Sequence, residues 1–358
     1  MRLRSLLPPR WRTGAALGVG LALLMLAGCR SAGYYGQAVT GQWQILVDRE
    51  PIVRLIASTN TPAAFRQRLE LFQQMRGFAG AELRLPTGRH YLSYVDLRRP
   101  HVVWNVFAAP EFSVEARTWW YPCVGRLEYH GYFTEAGAQR YAQRLAAEGA
   151  DVAVEPVDAY STLGWFREPV LSSFIHYPET ELAGVLFHEL AHQKLFVSGD
   201  TDFNESFATT VEQAGVRRWL RNGRSPAALE EYERDVVRER EFVTLVIRTR
   251  RQLEHLFAPP ALDDAERRLR KQQIFDRMRA GYERLKDSWG GDARLNRWFA
   301  RPLNNAHLNT VNAYHGLQPG FARMLREQGG DMERFYTEVR RLAKLPKEER
   351  HRRLVAAP

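Results

Sequence analysis

The stretch GVLFHELAHQKLF, at residues 184–196, constrains the fold of this chain more than any other. Apolar residues enclose three polar ones, His188, Glu189 and His192, and cover most sides of the helix that their spacing predicts. Such a helix is buried, and burying two imidazoles and a carboxylate without partners costs several kcal/mol. The stretch therefore predicts a buried helix that carries these three groups into a polar site.

A metal ion is the partner that this pattern favours. Residues four apart share one face of a helix, so His188 and His192 can offer two imidazole nitrogens to one ion. Zn²⁺ in catalytic sites takes such nitrogens with a further protein ligand and keeps a fourth position for water. Glu189 then lies where a carboxylate can accept a proton from that water. The alternative is a pair of histidines that are hydrogen-bonded within the core.

The third ligand has to come from outside this helix. The metzincin pattern has glycine and histidine at the positions occupied here by Leu195 and Ser198, so that class is excluded. A turn follows instead, and then a second helix that opens with Asn204 and Glu205. Because an antiparallel hairpin would return the first turn of this helix to the vicinity of His192, Glu205 is the predicted third ligand.

Other acidic residues of the hairpin compete for that role. Glu212 lies two turns after Glu205 on the same face, which suits a contact outside the ligand set or an outward salt bridge. Asp200 and Asp202 lie in the turn, where aspartate commonly serves as a turn or helix-cap residue. We therefore predict that none of the three is a metal ligand.

The start of the chain predicts secretion. Four arginines precede an apolar run, GAALGVGLALLMLAGC, at residues 14–29, which is the order found in a secretory signal. The run is shorter than the roughly twenty residues that span a bilayer. The alternative is an uncleaved N-terminal anchor helix.

The end of the apolar run, LAGC, resembles the lipobox of bacterial lipoproteins. In that family Cys29 would become the lipidated first residue after removal of residues 1–28, and acyl chains would hold the protein to one leaflet. Arg30, in place of aspartate, implies delivery to the outer membrane with the protein facing the periplasm. Cys123 would then be the remaining cysteine, so no intramolecular disulfide is expected, and burial is favoured over a reactive thiol.

The charge of the chain does not predict nucleic-acid binding. The formal net charge is +10, and it falls to +6 without the four arginines of the leader. In the arginine-rich second half, acids alternate with bases, as in ERDVVRERE, which is typical of a solvated helix face. No nucleic-acid-binding motif accompanies these runs.

Hydrophobic spacing predicts an α+β protein with a large helical part. Two helices are expected in 37–80, short antiparallel strands in 91–133, and a helix followed by a strand from 134. From 204 onward the pattern is almost wholly helical. The predicted divisions are a signal peptide at 1–28, N-terminal helices with a mixed antiparallel sheet at 29–177, a metal-binding helix hairpin at 178–222, and a helical C-terminal subdomain at 223–358.

The segment YSTLGWF, at residues 160–166, is a candidate for substrate binding. It precedes the metal helix, where an edge strand could pair with a peptide backbone, and Gly164 would permit close approach. The alternative is a loop that its aromatic residues pack into the core.

The polar block NNAHLNTVNAYH, which ends at His315, is a candidate for transition-state stabilisation. Peptide hydrolysis places negative charge on the carbonyl oxygen, so a hydrogen-bond donor aimed there accelerates the reaction. Tyr314 is the first choice as donor, followed by His307 and His315. The alternative is ordinary polar surface.

HELAHQ with the following FNESFAT resembles the gluzincins, and the chain as a whole resembles a bacterial family of predicted zinc aminopeptidases that are secreted as lipoproteins. The resemblance implies a zincin-like α+β fold and metallopeptidase activity, with His188, His192 and Glu205 as ligands of Zn²⁺ and Glu189 as the base. Twelve residues separate His192 from Glu205, fewer than in thermolysin-like enzymes. The likeness rests on LAGC (26–29), YSTLGWFREPVLSSF (160–174), VLFHELAHQKLF (185–196), FNESFATTVEQ (203–213) and WFARPLNNAHLNTVNAYHGLQPGF (298–321).

The predicted function is hydrolysis of peptides by a lipid-anchored zinc aminopeptidase, with the membrane as a second partner through the anchor. One alternative is a zinc endopeptidase of the cell envelope. Another is a non-catalytic envelope scaffold that zinc stabilises. Glu189 argues against the scaffold, because a structural zinc site requires no base.

Overall fold

A computed structural model of the chain describes residues 34, 36–121, 125–159, 166–223, 226–259 and 262–355. The predictions for the signal peptide, Cys29, Cys123 and Gly164 lie outside those residues. Two compact units are present, Met1–Asp48 and Arg49–Pro358. The described part of the first unit is mainly a helix, α1 (36–47), with Val39, Trp43 and Val47 exposed along one face. No helix within the described ranges combines the length and apolar character that crossing a membrane requires.

The second unit mixes helices with small sheets, and the structure is about 62% helical. This agrees with the predicted α+β class. The strands that the structure describes are β1 (Glu50–Pro51), β2 (Ser93–Val95), β3 (Val103–Pro110), β4 (Trp119–Tyr121), β5 (Gly125–Leu127), β6 (His130–Tyr132), β7 (Ala150–Val157) and β8 (Val170–Leu171).

Helices make up most of the remainder, and nearly all the described chain after residue 178 is helical. They are α2 (Ile52–Ala57), α3 (Ala63–Ala81), α4 (Glu135–Ala147), α5 (Glu179–Lys194), α6 (Thr201–Arg221), α7 (Pro226–Phe257), α8 (Asp264–Ser288), α9 (Asn296–Phe299), α10 (Asn305–His315), α11 (Gln318–Glu327), α12 (Met332–Ala343) and α13 (Lys347–Val355).

The segment 37–80 holds three helices where two were expected. The helical segment is interrupted near residue 60, between α2 and α3, and again at β1, which pairs with β2. The helix predicted from Thr134 is confirmed as α4, and the Thr134 side chain accepts a hydrogen bond from Gly137 N as its N-cap. The arginine-rich runs of the second half form two long helices, α7 and α8, as the predicted helical pattern from 204 onward requires.

The strands form three small sheets rather than one. Antiparallel pairing is confirmed in the sheet β6-β3-β7 and in the hairpin β4-β5. In the sheet β1-β2-β8, however, β2 and β8 are parallel. Parallel neighbours require a long crossover, and here the crossover contains the whole second sheet and α4, which local hydrophobic alternation cannot reveal.

Helices cover both faces of strand β3. Trp104 and Val106 belong to a buried cluster with Leu145 of α4, whereas Phe107 packs with Ala306 of α10. Successive side chains of a strand point to opposite faces, so a strand covered on both sides is buried along nearly its full length, as β3 is. The sheet thereby becomes a platform that fixes the start of α10.

The hairpin of α5 and α6 lies at the centre of the second unit. Most of α5 is buried, as its apolar surroundings predicted. The two helices approach closely at Gly215, where a Cβ atom would lie 2.6 Å from the ring of Phe187. The connecting turn passes through Gly199, whose φ of +77° favours glycine.

Helices α7 and α8 pack against each other through a separate apolar cluster. Tyr282 of α8 stacks on Phe299 of α9, with ring centroids 4.1 Å apart and planes 4° from parallel. Phe242 of α7 meets the same Phe299 ring edge-on at 6.0 Å. This packing holds α7 beside α10 and α6, where its polar face reaches the site described next.

Candidate metal centre

Three side chains of the hairpin converge on one point. Glu205 Oε2 lies 3.2 Å from Nε2 of His188 and 3.4 Å from Nε2 of His192. One potential ligand atom from each residue lies within 4.8 Å of the other two. All three side chains are nearly buried, with 9 to 12% of their surface exposed. The arrangement is a group of two imidazoles and one carboxylate that could hold a metal ion.

Asn204 explains how the first turn of α6 reaches α5. Its side chain accepts a hydrogen bond from Val197 N and donates one to Val197 O, both at 2.8 Å. The two bonds fix the turn that leads out of α5, and Asp200 then caps α6 by accepting from Phe203 N. Since Glu205 directly follows Asn204, the closed turn places its carboxylate opposite the histidines.

Glu212 contacts the other nitrogen of His188, with Oε2 at 3.0 Å from Nδ1. A carboxylate is an acceptor, so Nδ1 carries the proton and donates it. In the neutral ring Nε2 then has a lone pair, which faces Glu205 Oε2, a second acceptor. Two acceptors at 3.2 Å need a proton or a cation between them. Glu212 thus holds the tautomer that a metal ligand requires.

The ionisation of these groups reflects the same contacts. Burial lowers the pKa of His188, but hydrogen bonds to Glu205 and Glu212 outweigh burial and raise it well above the usual value. Burial raises the pKa of Glu205, and the two histidines outweigh this effect and lower it. A divalent cation would supply the same positive charge to the carboxylate while leaving both imidazoles neutral.

The donor set fits Zn²⁺. Two imidazole nitrogens and one carboxylate oxygen are the ligands of a large group of catalytic zinc sites. Nδ1 of His192 and Oε2 of Glu189 are buried and have no hydrogen-bond partner among the described residues. A buried polar atom without a hydrogen-bond partner destabilises the fold unless a bound group or water satisfies it. The described protein groups alone therefore leave polar atoms of this site without hydrogen bonds.

Glu189 lies beside this cluster without belonging to it. Its side chain is buried, with 8% of the residue exposed. Burial raises the pKa of Glu189, while His192 and His188 oppose that rise. A carboxylate with a raised pKa and an unpartnered oxygen is suited to accepting a proton from water.

Tyr314 is the member of the polar block that the structure brings to the cluster. Its ring stacks on His188, with centroids 5.9 Å apart and planes 28° from parallel. The charge of Glu205 raises the pKa of Tyr314 well above its usual value. The phenol therefore keeps its proton and can donate a hydrogen bond into the site.

The two histidines of the block have different positions. His315, next to Tyr314, lines the same cavity, and burial lowers its pKa to about 4. His307 lies near the opposite end of α10, where Nδ1 is 2.9 Å from Oδ1 of Asn304 and the ring meets Trp298. His307 therefore supports the start of α10 and does not line the cavity at the cluster.

A cavity of about 400 Å³ opens beside the cluster. His188, Glu189, Glu212, Tyr314 and His315 line it, and sequence analysis had singled out all five. It did not single out the other acidic and phenolic groups. These are Asp158, Tyr177, Glu181 and Glu239.

The sequence contains different signals for the acidic residues that were not predicted to line the cavity. Glu181 lies seven residues before His188 in α5, a spacing that predicts the same helix face. Glu239 belongs to the run ERDVVRERE, where alternating charge predicted a solvated face; its side chain is 46% exposed and also lines the cavity. Asp158 precedes the segment 160–165, and no motif marks it.

Comparison with known proteins agrees with this geometry at the level of the family. A family model described as "Putative aminopeptidase" matches residues 33–354. No curated protein and no solved structure gives a significant match. Since the family model covers most of the chain, including both hairpin helices and α10, the chain belongs to the family described as "Putative aminopeptidase".

Proposed function

We propose that this protein is a zinc-dependent peptidase that removes amino-terminal residues from peptides. The observation that carries the proposal is the convergence of Nε2 of His188, Nε2 of His192 and Oε2 of Glu205 next to Glu189. Membership in the "Putative aminopeptidase" family supports the choice of peptide bonds as the target.

His188, His192 and Glu205 would hold the ion, and Glu189 would handle protons. When bound, Zn²⁺ polarises a carbonyl group and lowers the pKa of a coordinated water toward about 7. Oε2 of Glu189, which is buried and unpartnered among the described residues, accepts the proton of the attacking water. The same oxygen then delivers this proton to the nitrogen of the departing amine.

Two further residues prepare the site for the reaction. Glu212 holds the proton of His188 on Nδ1, so that Nε2 keeps its lone pair toward Glu205. Tyr314 donates a hydrogen bond to the oxygen on which negative charge develops. Its stacking on His188 supports this role, because the stacking fixes the phenol beside the cluster.

The buried base distinguishes an enzyme from a scaffold. A structural zinc site is closed by its ligands and does not require an ionisable group with a free oxygen beside it. Glu189 has such an oxygen, and the cavity at the cluster gives a peptide access to it. Both features support catalysis over a purely structural metal.

We further propose that the protein is anchored to the cell envelope. The basis is the order of the leader: arginines, the apolar run and LAGC, with Cys29 as the lipidated residue. With Arg30 after the cysteine, the proposed location is the outer membrane, with the catalytic unit facing the periplasm.

Replacement of Glu189 by glutamine tests the proposed function. Glutamine keeps the size of the side chain but cannot accept the proton, so hydrolysis of a peptide library should fall about 10²- to 10⁴-fold while zinc content stays at the wild-type level. Cleavage is followed by mass spectrometry, and zinc by atomic absorption. The control is Glu233→Gln, because Glu233 lies on α7 and lines neither the cluster nor its cavity. Near-wild-type turnover of Glu189→Gln would disprove the catalytic assignment.

A further inference from the structure

The cavity at the metal centre is strongly acidic. Among the described residues, four glutamates and one aspartate line it and no lysine or arginine does; the acids are Asp158, Glu181, Glu189, Glu212 and Glu239. Outside the ligand cluster, the histidine that lines the cavity does not offset this negative charge at neutral pH, because burial lowers the pKa of His315 to about 4. A cavity with this lining attracts a positively charged group.

A second cavity, of about 430 Å³, adjoins the first and shares Glu181, Glu212 and Glu239 with it. Two arginines line the second cavity, but both are paired. Arg238 Nη1 lies 2.9 Å from Asp292, and Arg294 Nη2 lies 2.7 Å from Asp235. The arginines are thus neutralised locally, and the shared wall between the cavities remains acidic.

The acidic residues of the first cavity differ in how far protein partners already satisfy them. Asp158 is bonded to His101 and to the hydroxyl of Tyr177. Glu212 is bonded to His188, as described above. Besides Glu189, two acids remain, Glu181 and Glu239, and among the described residues no lysine or arginine lies within ion-pair distance of either.

Glu239 is placed close to the cluster by two contacts. Its Oε2 accepts a hydrogen bond from Gln213 Nε2 at 3.3 Å, and its Oε1 lies 3.7 Å from Nε2 of His315. Gln213 directly follows Glu212 on α6. Glu181 lies two helical turns before His188 on the same face of α5. The two carboxylates therefore approach the cavity from different helices.

A separate observation indicates that this cavity binds a ligand. Glu189 lines it with more than nine-tenths of its surface buried, yet Oε2 has no partner within the described part of the chain. Acidic side chains beside such an unsatisfied atom favour a bound ligand over pairing within the protein.

We propose that the carboxylates of Glu239 and Glu181 bind the free α-ammonium group of the substrate and thereby restrict the enzyme to peptides with an unblocked amino terminus. This inference rests on the proposed function, which supplies the peptide bond at the metal centre. An ammonium group held there places the amino-terminal end of the peptide in the cavity beside the candidate metal centre. Cleavage then takes place near the amino terminus.

The ionisation of Glu239 is consistent with this role. Its partly enclosed surroundings and the nearby carboxylate of Glu212 raise the pKa of Glu239 to about 7. Negative charges crowded in this way are relieved by a cation. A bound ammonium group supplies that cation, whereas an acetylated terminus does not.

A pair of matched peptides tests the inference. The tetrapeptide Ala-Leu-Ala-Phe and its N-acetylated form are digested by the zinc-loaded full chain, and kcat/KM is measured for each. The wild type should prefer the free peptide, and Glu239→Gln should lower its kcat/KM about 10- to 100-fold, as expected for loss of one charge-assisted hydrogen bond. Glu181→Gln should act in the same direction, and the control Glu233→Gln should have no effect.

Binding provides a readout that does not depend on turnover. Leucinamide carries a free ammonium group, and N-acetyl-leucinamide does not; titration calorimetry on the Glu189→Gln protein should show binding of the first only, weakened by Glu239→Gln. Equal cleavage of both tetrapeptides by the wild type, or unchanged leucinamide binding in Glu239→Gln, overturns the inference. Absence of any peptide cleavage overturns the proposed function instead, and the calorimetry still decides the role of Glu239.

Discussion

Oε2 of Glu212 lies 3.0 Å from Nδ1 of His188, at the edge of the ring away from Glu205. This contact holds both the orientation and the tautomer of the imidazole. Carboxylates in this position commonly contribute 10- to 100-fold to metal affinity. We expect Glu212→Ala to weaken zinc binding by about that factor, with the three ligands in place. Competition with a chromophoric chelator measures it, and Glu233→Gln is the control; unchanged affinity would contradict the orienting role.

Direct ligands should behave differently from Glu212. We expect protein lacking residues 1–29 to bind about one zinc ion, and His188→Ala or His192→Ala to lose it. Glu205→Gln should also lose tight binding, because the amide removes the negative charge that the ion requires. Zinc is measured after dialysis against a weak chelator. If Glu205→Gln kept tight zinc while Glu212→Gln lost it, the third ligand would be Glu212.

The lipid anchor has a test that does not involve the site. We expect Cys29→Ser to abolish incorporation of labelled fatty acid and to release the protein from washed membranes, because no acyl chain can then be attached. Arg30→Ala leaves the cysteine in place and is the control for labelling. Membrane retention of the wild type without any lipid signal would favour the uncleaved anchor helix.

Acid should destabilise the fold through buried histidines. Burial and the charge of Arg301 lower the pKa of His307 from 6.5 to about 4. A histidine whose pKa is lower in the folded state than in the unfolded state stabilises the fold. This stabilisation is fully present above pH 6.5 and is lost as the pH falls toward about 4. We expect the wild-type melting temperature to drop between pH 7.5 and 5.0, and to drop less in His307→Gln. Parallel pH profiles for the two proteins would refute the assignment.

Local patterns were sufficient for the hairpin. The positions of His188 and His192 on one helix face follow from helical periodicity, and the short connection to Glu205 leaves the chain little freedom to place that carboxylate elsewhere. The prediction that Glu212 contacts the site without joining the ligand set also depends only on spacing along α6. In the structure these four side chains lie together.

Contacts between distant segments were not accessible in the same way. Glu239 reaches the cavity because α7 packs beside α6 and α10, and nothing in a run of alternating charges shows which charge borders a cavity. The parallel pairing of β2 with β8 likewise depends on how the intervening chain folds. Asn305 illustrates a third case: its side chain donates to three backbone carbonyls at the end of β3, so a residue from the polar block anchors α10.

Asp200, the N-cap of α6, is completely buried and accepts hydrogen bonds from Arg350 and His351 of α13. Its partners are therefore synthesised about 150 residues later. Until Arg350 and His351 emerge from the ribosome, the carboxylate of Asp200, at the turn before Glu205, lacks the cationic partners that compensate its burial. We therefore expect the hairpin of the candidate metal centre to be completed only when almost the whole chain has been made, and shorter nascent fragments to bind no metal stably.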